Sequence, residues 1–498
     1  MKTPTLFPRL AALLSVAFLA GCAVGPDYER PFFELPTSWF ATKAELAETG
    51  QLRKADTAGE RWWSLYADPT LDQLIDEALV HNADAAVAAA RVLEARAIAR
   101  ITDSDLYPSI TGGISGNRSQ NSLAGTIPRS PSQPRIQNDT RATIDASYEI
   151  DFWGKYRRAS EAARADLLAA ESSRDAVRLS LTAQVAQEYF ALIAADAAVT
   201  ITERTLQSRK ETLDLFTKRF EAGTLSEFDL RQAEAEEAAA RSQLAGRIQQ
   251  QDRDESALAL LLGRSPREVM NGSIERSTSK TVGPTEVAEV IIPAGLPSDL
   301  LLRRPDLREA EAGLIAANAR IGAARAQYFP AIGLTAYLGS ESTQFSKLFT
   351  GPAGIFQFAA AITQPIWNAG RIGANVDASE ASRDQALAQY RKAVASAFKD
   401  VRDALAAQKA ARDTLAAEST RAAALGKALE LARLRFDAGI ASRLDVLDVE
   451  RNLLAAEIAR ADAERASKAA LADTFKALGG GWKRDDAENQ PEQPKSEG

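Results

Sequence analysis

The segment Arg219-Phe220-Glu221-Ala222-Gly223 returns 216 residues later as Arg435-Phe436-Asp437-Ala438-Gly439, with Ser226 and Asp229 matched by Ser442 and Asp445. A chain written twice at that spacing is not a string of unrelated domains, so its 498 residues imply two copies of one structural unit. Charged side chains make up 26% of the sequence and alanine abounds, which suits long helices with solvated faces. Such a composition does not suit a compact sheet enzyme.

The amino-terminal stretch is of another kind. An apolar run from Leu10 to Ala20 follows Lys2 and Arg9. It is shorter than the about 20 helical residues that cross a bilayer core, so it predicts a signal peptide over residues 1–21. The run ends in Leu19-Ala20-Gly21-Cys22, a lipobox pattern in which cleavage precedes a diacylated cysteine. Cys22 is therefore the expected lipidation site, carrying acyl chains such as palmitate. Ala23, in place of an aspartate, favours delivery to the Gram-negative outer membrane. Cys22 is also the single cysteine, which excludes an internal disulfide even in an oxidising periplasm. Loss of Lys2 and Arg9 leaves 58 basic against 67 acidic side chains, a net charge of −9. That balance excludes an electrostatic footprint for nucleic acid.

Residues 22–60, with Pro26, Pro31 and Pro36, predict an extended strap behind the anchor. The first repeat is expected over 61–270, the second over 271–480, and a disordered tail over 481–498. Asp68-Pro69 predicts a helix start, and a helix follows over about 81–106. Tyr107-Pro108 ends it, as Phe329-Pro330 ends a helix over 305–328. A residue before proline is pushed into the β region, so both sites predict a switch from helix to strand.

Residues 141–150 alternate strictly, Ala142, Ile144, Ala146, Tyr148 and Ile150 against Thr143, Asp145, Ser147 and Glu149. Residues 331–340 and 355–365 alternate too, and 110–118 more weakly. Each has about the 9–11 residues that a membrane strand requires. Four strands cannot close a barrel, and an open edge in lipid leaves backbone groups unsatisfied. The barrel must therefore be shared between chains, and three chains give twelve strands and the beginning of a lumen. The polar connections 119–140 and 341–354 are expected as outer loops. Residues 156–220 and 369–437 predict two helices of about 100 Å each, with 226–262 and 442–478 as their shorter return helices.

Several motifs together identify a resemblance: Leu19-Ala20-Gly21-Cys22, Trp62-Trp63, Leu301-Leu302-Arg303-Arg304-Pro305-Asp306-Leu307, Tyr328-Phe329-Pro330, Pro365-Ile366-Trp367-Asn368-Ala369-Gly370, and the two hinges. In this order they resemble the outer-membrane efflux factors of the TolC superfamily, close to the OprM and NodT lipoproteins. The resemblance implies a mostly α chain with a membrane β-barrel part. Three protomers would share a twelve-stranded barrel above a periplasmic tunnel of twelve helices. It also implies a periplasmic adaptor and an inner-membrane transporter, commonly of the resistance-nodulation-division class, together exporting small molecules such as drugs or toxic compounds. Two other readings stay open: an exit duct for type I protein secretion, and a structural envelope lipoprotein that conducts nothing.

Gly223 and Gly439 sit where long helices turn back, a place for left-handed backbone. By resemblance the tips also dock the adaptor, with Arg219, Phe220, Asp229, Arg435 and Phe436 around them. Ser226-x-x-Asp229 and Ser442-x-x-Asp445 read as capping boxes. Asp448 lies three residues past Asp445 on the same helix face, whereas the first repeat has Gln232 there. In the family the matching aspartate pair constricts the closed duct, so Asp445 and Asp448 are the expected gate, some of whose carboxyls should titrate high or recruit cations in a trimer. Phe436 stands where a related channel latches its tips through a tyrosine hydroxyl. No catalytic motif and no metal-ligand spacing is present, the one histidine being His81, expected as a surface or cap residue at a helix start. Arg303-Arg304 before Pro305 reads as another solvated helix start.

Overall fold

A computed structural model describes residues 23–36, 61–122, 134–276 and 300–480. The leader 1–21, Cys22, residues 37–60 of the strap and the tail 481–498 lie outside the described residues. After a 3-10 turn at Trp62–Tyr66, the first repeat runs α1 (Pro69–His81), α2 (Ala83–Ser104), β1 (Ser109–Gln120), β2 (Ile136–Ile150), α3 (Lys155–Glu221), α4 (Glu227–Leu261) and the short α5 (Pro266–Asn271). The second runs α6 (Leu300–Arg303), α7 (Pro305–Ala326), β3 (Ala331–Ser342), β4 (Gly354–Thr363), α8 (Arg371–Asp437) and α9 (Arg443–Ala477). The duplication extends to length: α2 and α7 have 22 residues each, α3 and α8 have 67, and α4 and α9 have 35.

The chain forms two compact units. One, over the described residues of Met1–Phe32, Arg91–Glu171 and Glu309–Arg391, holds the sheet; the other, over those of Phe33–Ala90, Ser172–Arg308 and Lys392–Gly498, is helical.

In the first unit the strands are antiparallel in the order β1-β2-β3-β4. Their register gathers like with like. Ile144 faces Leu338, which faces Phe356; Ala146 faces Ala336, which faces Phe358; Ile150 faces Ile332, which faces Ile362. The alternate rows are polar: Thr111, Asp145, Tyr337 and Gln357 stand across from one another, as do Ser109, Ser147 and Thr335. Among the described residues nothing covers the apolar face, where Ile110 is 72% and Phe358 82% exposed. β2 begins at Ile136, five residues before the alternation of 141–150 does, because Gln137, Asn138 and Asp139 continue the ladder after the apolar band has ended.

The aromatic residues cluster where helix gives way to strand. Trp153 stacks on Phe329 at 4.5 Å and donates its Nε1–H to the Pro330 carbonyl at 2.9 Å. The strap is fixed beside them. Val24 donates its backbone N–H to the Trp153 carbonyl, Asn318 donates to the Pro26 carbonyl, and Arg158 pairs with Asp27 at 2.6 Å. Farther along, Tyr28 and Arg30 both donate to the buried Glu311 carboxylate. Gly25 is required here: its φ is +115°, and a Cβ would lie 2.4 Å from the Gly322 Cα.

The helical unit is built around Trp62, which is fully buried and stacks on Phe475 at 5.2 Å. Leu71, Ile75, Tyr189, Leu192, Leu258 and Leu262 complete that core. Asp68 caps α1 by accepting from the Thr70 and Leu71 N–H groups, Pro69 follows it, and Tyr189 donates its hydroxyl to the same carboxylate.

Both return helices end on another helix in the same way. At the end of α4, Gly263 has φ +72°, and at the end of α9, Gly479 has φ +89°, each donating back across a Schellman turn. Asn82, capping α2, donates to the Leu261 carbonyl at 2.9 Å, and Arg304, preceding α7, donates to the Ala477 carbonyl at 3.1 Å. One position thus satisfies the same carbonyl in both repeats. This corrects two sequence expectations. His81 is the last residue of α1 rather than a helix start, Asn82 being the cap. Arg304 is not solvated: it is 8% exposed and pairs with Asp306 at 2.7 Å and Asp400 at 3.0 Å. The physical reason is the orphan carbonyl of the arriving helix, which calls for a donor at that point.

Candidate functional site

The tips where α3 turns into α4 and α8 into α9 carry most residues singled out from the sequence. Both turns are Schellman motifs. Gly223 donates to the Phe220 carbonyl at 2.8 Å and Thr224 to the Arg219 carbonyl at 2.9 Å; Gly439 and Ile440 donate likewise to Phe436 and Arg435 at 2.9 and 2.8 Å. Each glycine has φ +71° and nothing within 4 Å of where a Cβ would stand. Conformation, not space, therefore selects glycine. Arg219, Phe220 and Arg435 point to solvent, Phe436 is half-buried, and Phe228, Leu434, Ile440 and Leu444 are exposed apolar neighbours. An apolar patch at a helix turn, rimmed by arginine, has the chemistry of a partner surface.

The return helices start on serine. Ser226 accepts from the Asp229 N–H, and its hydroxyl donates to the Asp229 carboxylate at 2.6 Å. At the second tip the box is reciprocal: Asp445 N–H donates to Ser442 Oγ at 3.3 Å, while Ser442 N–H and hydroxyl both donate to Asp445 Oδ2 at 2.8 Å. Those two donations, the hydroxyl first, hold the Asp445 carboxyl below the usual aspartate range, with Arg435 adding to the effect. Asp448 is exposed and accepts from Asn452 Nδ2 at 3.2 Å. The two carboxylates are thus unlike: Asp445 is committed to its cap, whereas Asp448, among the described residues, is bonded from farther along its own helix.

Behind the tip lies a cluster that the sequence reading missed. Arg209 on α3 approaches Glu450 on α9 to 2.8 Å with side chains 4% and 9% exposed, and Arg433 on α8 reaches the other Glu450 oxygen at 3.0 Å. Arg443 donates to Thr212 Oγ1 at 2.9 Å, and its guanidinium lies 5.9 Å from the Phe436 ring centre. Burial lowers the Arg443 pKa, opposed by Glu450 and reinforced by Arg209 and Arg433. The first hairpin is therefore tied to the second by ions inside the protein, and Phe436 meets a cation where its ring lacks a hydroxyl. Arg209 and Glu450 stand 241 residues apart in helices rich in both residue types, so no local signal marks them.

A two-faced sheet whose edge strands have no partner among the described residues, in one chain with two long helical hairpins, fits a class: outer-membrane ducts. The chain belongs to the outer membrane efflux protein family, whose model matches residues 74–264 and 296–480. It is 36% identical to the cation efflux system protein CusC of Escherichia coli K12 over 93% of this chain and 97% of that protein. It is 35% identical to the solvent efflux pump outer membrane protein SrpC of Pseudomonas putida, over 94% and 97%. Among solved structures it resembles the CmeC outer membrane channel of Campylobacter jejuni, with a TM-score of 0.85 and 27% identity over 93% and 96% of the two chains. A structure of CusC gives 0.79 and 35% over 92% and 100%.

Proposed function

We propose that the chain is the outer-membrane exit duct of a tripartite efflux pump, exporting small toxic compounds and working as a homotrimer. The sheet carries this reading: one face exposes Ile110, Phe356, Phe358 and Ile362 to a solvent that must be lipid, while β1 and β4 end it as unpaired edges. Edges of that kind are untenable in hydrocarbon, and three copies close them into twelve strands with the polar rows inside. The relatives' functions, cation and solvent efflux, support the transport class.

In this reading Cys22 bears the lipid, next to the docked Ala23 and Val24. The arginines, phenylalanines and glycines of the two tips, with Asp229, receive a periplasmic adaptor that links the duct to an inner-membrane transporter of the resistance-nodulation-division type. Asp445 and Asp448 form the constriction. Only the second tip carries the doubled carboxylate, so opening is expected to depend on α8 and α9. Purified protein in planar bilayers should give single-channel currents that rise when both Asp445 and Asp448 are replaced by Ala. A chain with no current, and with no heat-modifiable migration, is not a duct.

A further inference from the structure

In the sheet the two repeats match to the residue. β1 matches β3 at a spacing of 222, Ser109 with Ala331 and Gln120 with Ser342. At a spacing of 216, that of the hinges, β2 matches β4. These spacings turn the β1–β2 pairing into the β3–β4 pairing: Ser109 faces Ser147, and their counterparts Ala331 and Thr363 face each other. β2 also pairs with β3, Ile144 facing Leu338 and Ala146 facing Ala336. The counterpart of that second seam is β4 against β1, which are the two edges of the sheet among the described residues. Carried over by the same spacings, Ile144 and Leu338 become Ala360 and Gly116, and Ala146 and Ala336 become Ile362 and Ile114.

We propose that a second copy of this chain pairs along that seam in one register, β4 of one protomer antiparallel to β1 of the next. Phe356 then faces Gln120, Ala360 faces Gly116, and Ile362 faces Ile114 of the neighbouring protomer. The inference deepens the trimer reading and rests on it. The register sets like against like. Ile114, Phe358 and Ile362, which are 76%, 82% and 73% exposed, meet on the apolar face, while Ala361 meets Ser115 and Gln357 meets Ser119 on the other. A slip of one residue would put Ile362 against Gly113 or Ser115 and turn the apolar row of one strand into the polar row of its neighbour. A slip of two keeps the faces, and the repeat alone opposes it.

The glycines of β1 point to the same neighbour. Gly112, Gly113 and Gly116 have no left-handed φ, and among the described residues nothing lies within 4 Å of where their Cβ atoms would stand. Neither backbone conformation nor packing inside the protomer calls for them. A glycine within a strand gives nothing to pack on and marks a place where another chain comes close. In the proposed register Phe358 stands diagonally beside Gly116, and Ile362 stands between Gly112 and Gly116. Large side chains of β4 thereby cover the bare stretch of β1, at a distance aromatic and long side chains can reach.

The test places cysteine pairs in the full-length chain in outer-membrane vesicles and follows disulfides between protomers on non-reducing gels. Two in-register pairs are made, Ile362→Cys with Ile114→Cys and Ala361→Cys with Ser115→Cys. Successive pairs of an antiparallel ladder alternate between Cα separations of about 4.5 and 5.5 Å, so the two together sample both geometries. At least one should form covalent dimers and trimers, about tenfold or more faster than Ile362→Cys combined with Gly112→Cys or with Gly116→Cys, which are displaced by two. Chains with one substitution, which keep Cys22, should give none. Glutaraldehyde captures the assembly independently of register, and rates are compared among chains it captures as trimers. Faster cross-linking of a displaced pair, or none by either in-register pair in captured trimers, overturns the register and leaves the trimer standing. A native chain that glutaraldehyde shows to be monomeric overturns the trimer and the register with it.

Discussion

Replacing Glu450 by Gln tests whether the tips are held by charge inside the protein. The pair with Arg209 is 2.8 Å long, and neither side chain is more than 9% exposed. The about 0–1 kcal/mol typical of surface pairs therefore does not apply. Removing one partner of a buried pair strands the other, at a cost of about 3–5 kcal/mol. Arg433 changes the figure little, being 54% exposed and free to turn to water. Gln keeps the shape and one acceptor, which places the expected loss near the lower end, about 3 kcal/mol. Since ~1.4 kcal/mol is a factor of ten, amides of 205–221 and 433–450 should exchange about a hundredfold faster through local opening. Exchange measured by mass spectrometry checks this, with amides around Ile75 and Leu192 as the internal reference. Unchanged exchange at the tip, or equal acceleration in the Trp62 core, refutes the reasoning.

Gly223→Ala and Gly439→Ala should each lower stability by about 1 kcal/mol through left-handed strain alone, with Asn better tolerated than Val in thermal melts, because no neighbour crowds either position. Asp445 is depressed in the folded state, so its contribution is present above the ordinary aspartate value of 3.8 and is lost as pH falls through the lower folded value; Ser442→Ala should shrink that acid-side loss in melts taken from about pH 5 down to about pH 2. Arg304→Gln should cost about 2 kcal/mol in denaturant unfolding, since Asp306 and Asp400 are about 40% exposed and can turn to water. Asn82→Ala, the neutral counterpart, should cost about 1 kcal/mol, and its effect alone should be insensitive to salt.

Much of this architecture lies on the surface of the sequence because it is local. Strict alternation at 141–150 reveals a strand, Asp68-Pro69 a helix start, and Arg-Phe-x-Ala-Gly a turn, since each depends on residues within a few positions of one another. The repeat then doubles every local signal. What stays hidden is long-range pairing of charge. Arg304 beside Arg303 reads as solvated until the end of α9 arrives with an unsatisfied carbonyl, and Glu450, two residues past Asp448, reads as one more acid on a polar helix until α3 brings Arg209 to it. Strand ends are hidden for the opposite reason: past the apolar band both faces of β2 are polar, so alternation stops before the ladder does.

The strap holds one more consequence, for the order of events. Val24, Pro26, Asp27, Tyr28 and Arg30 leave the ribosome before their partners, Trp153, Asn318, Arg158 and Glu311; Tyr28 and Glu311 are separated by 283 residues. The segment made early can reach Trp153 and Arg158 once the first repeat exists, but it must wait for Asn318 and Glu311 of the second before it can settle fully. Its seat, including the glycine contact between Gly25 and Gly322, needs β2, α3 and α7 already in place. A fully docked strap is thus a certificate of completion, and a chain stalled after the first repeat would carry its amino-terminal end only partly held, open to proteases that a finished protomer turns away.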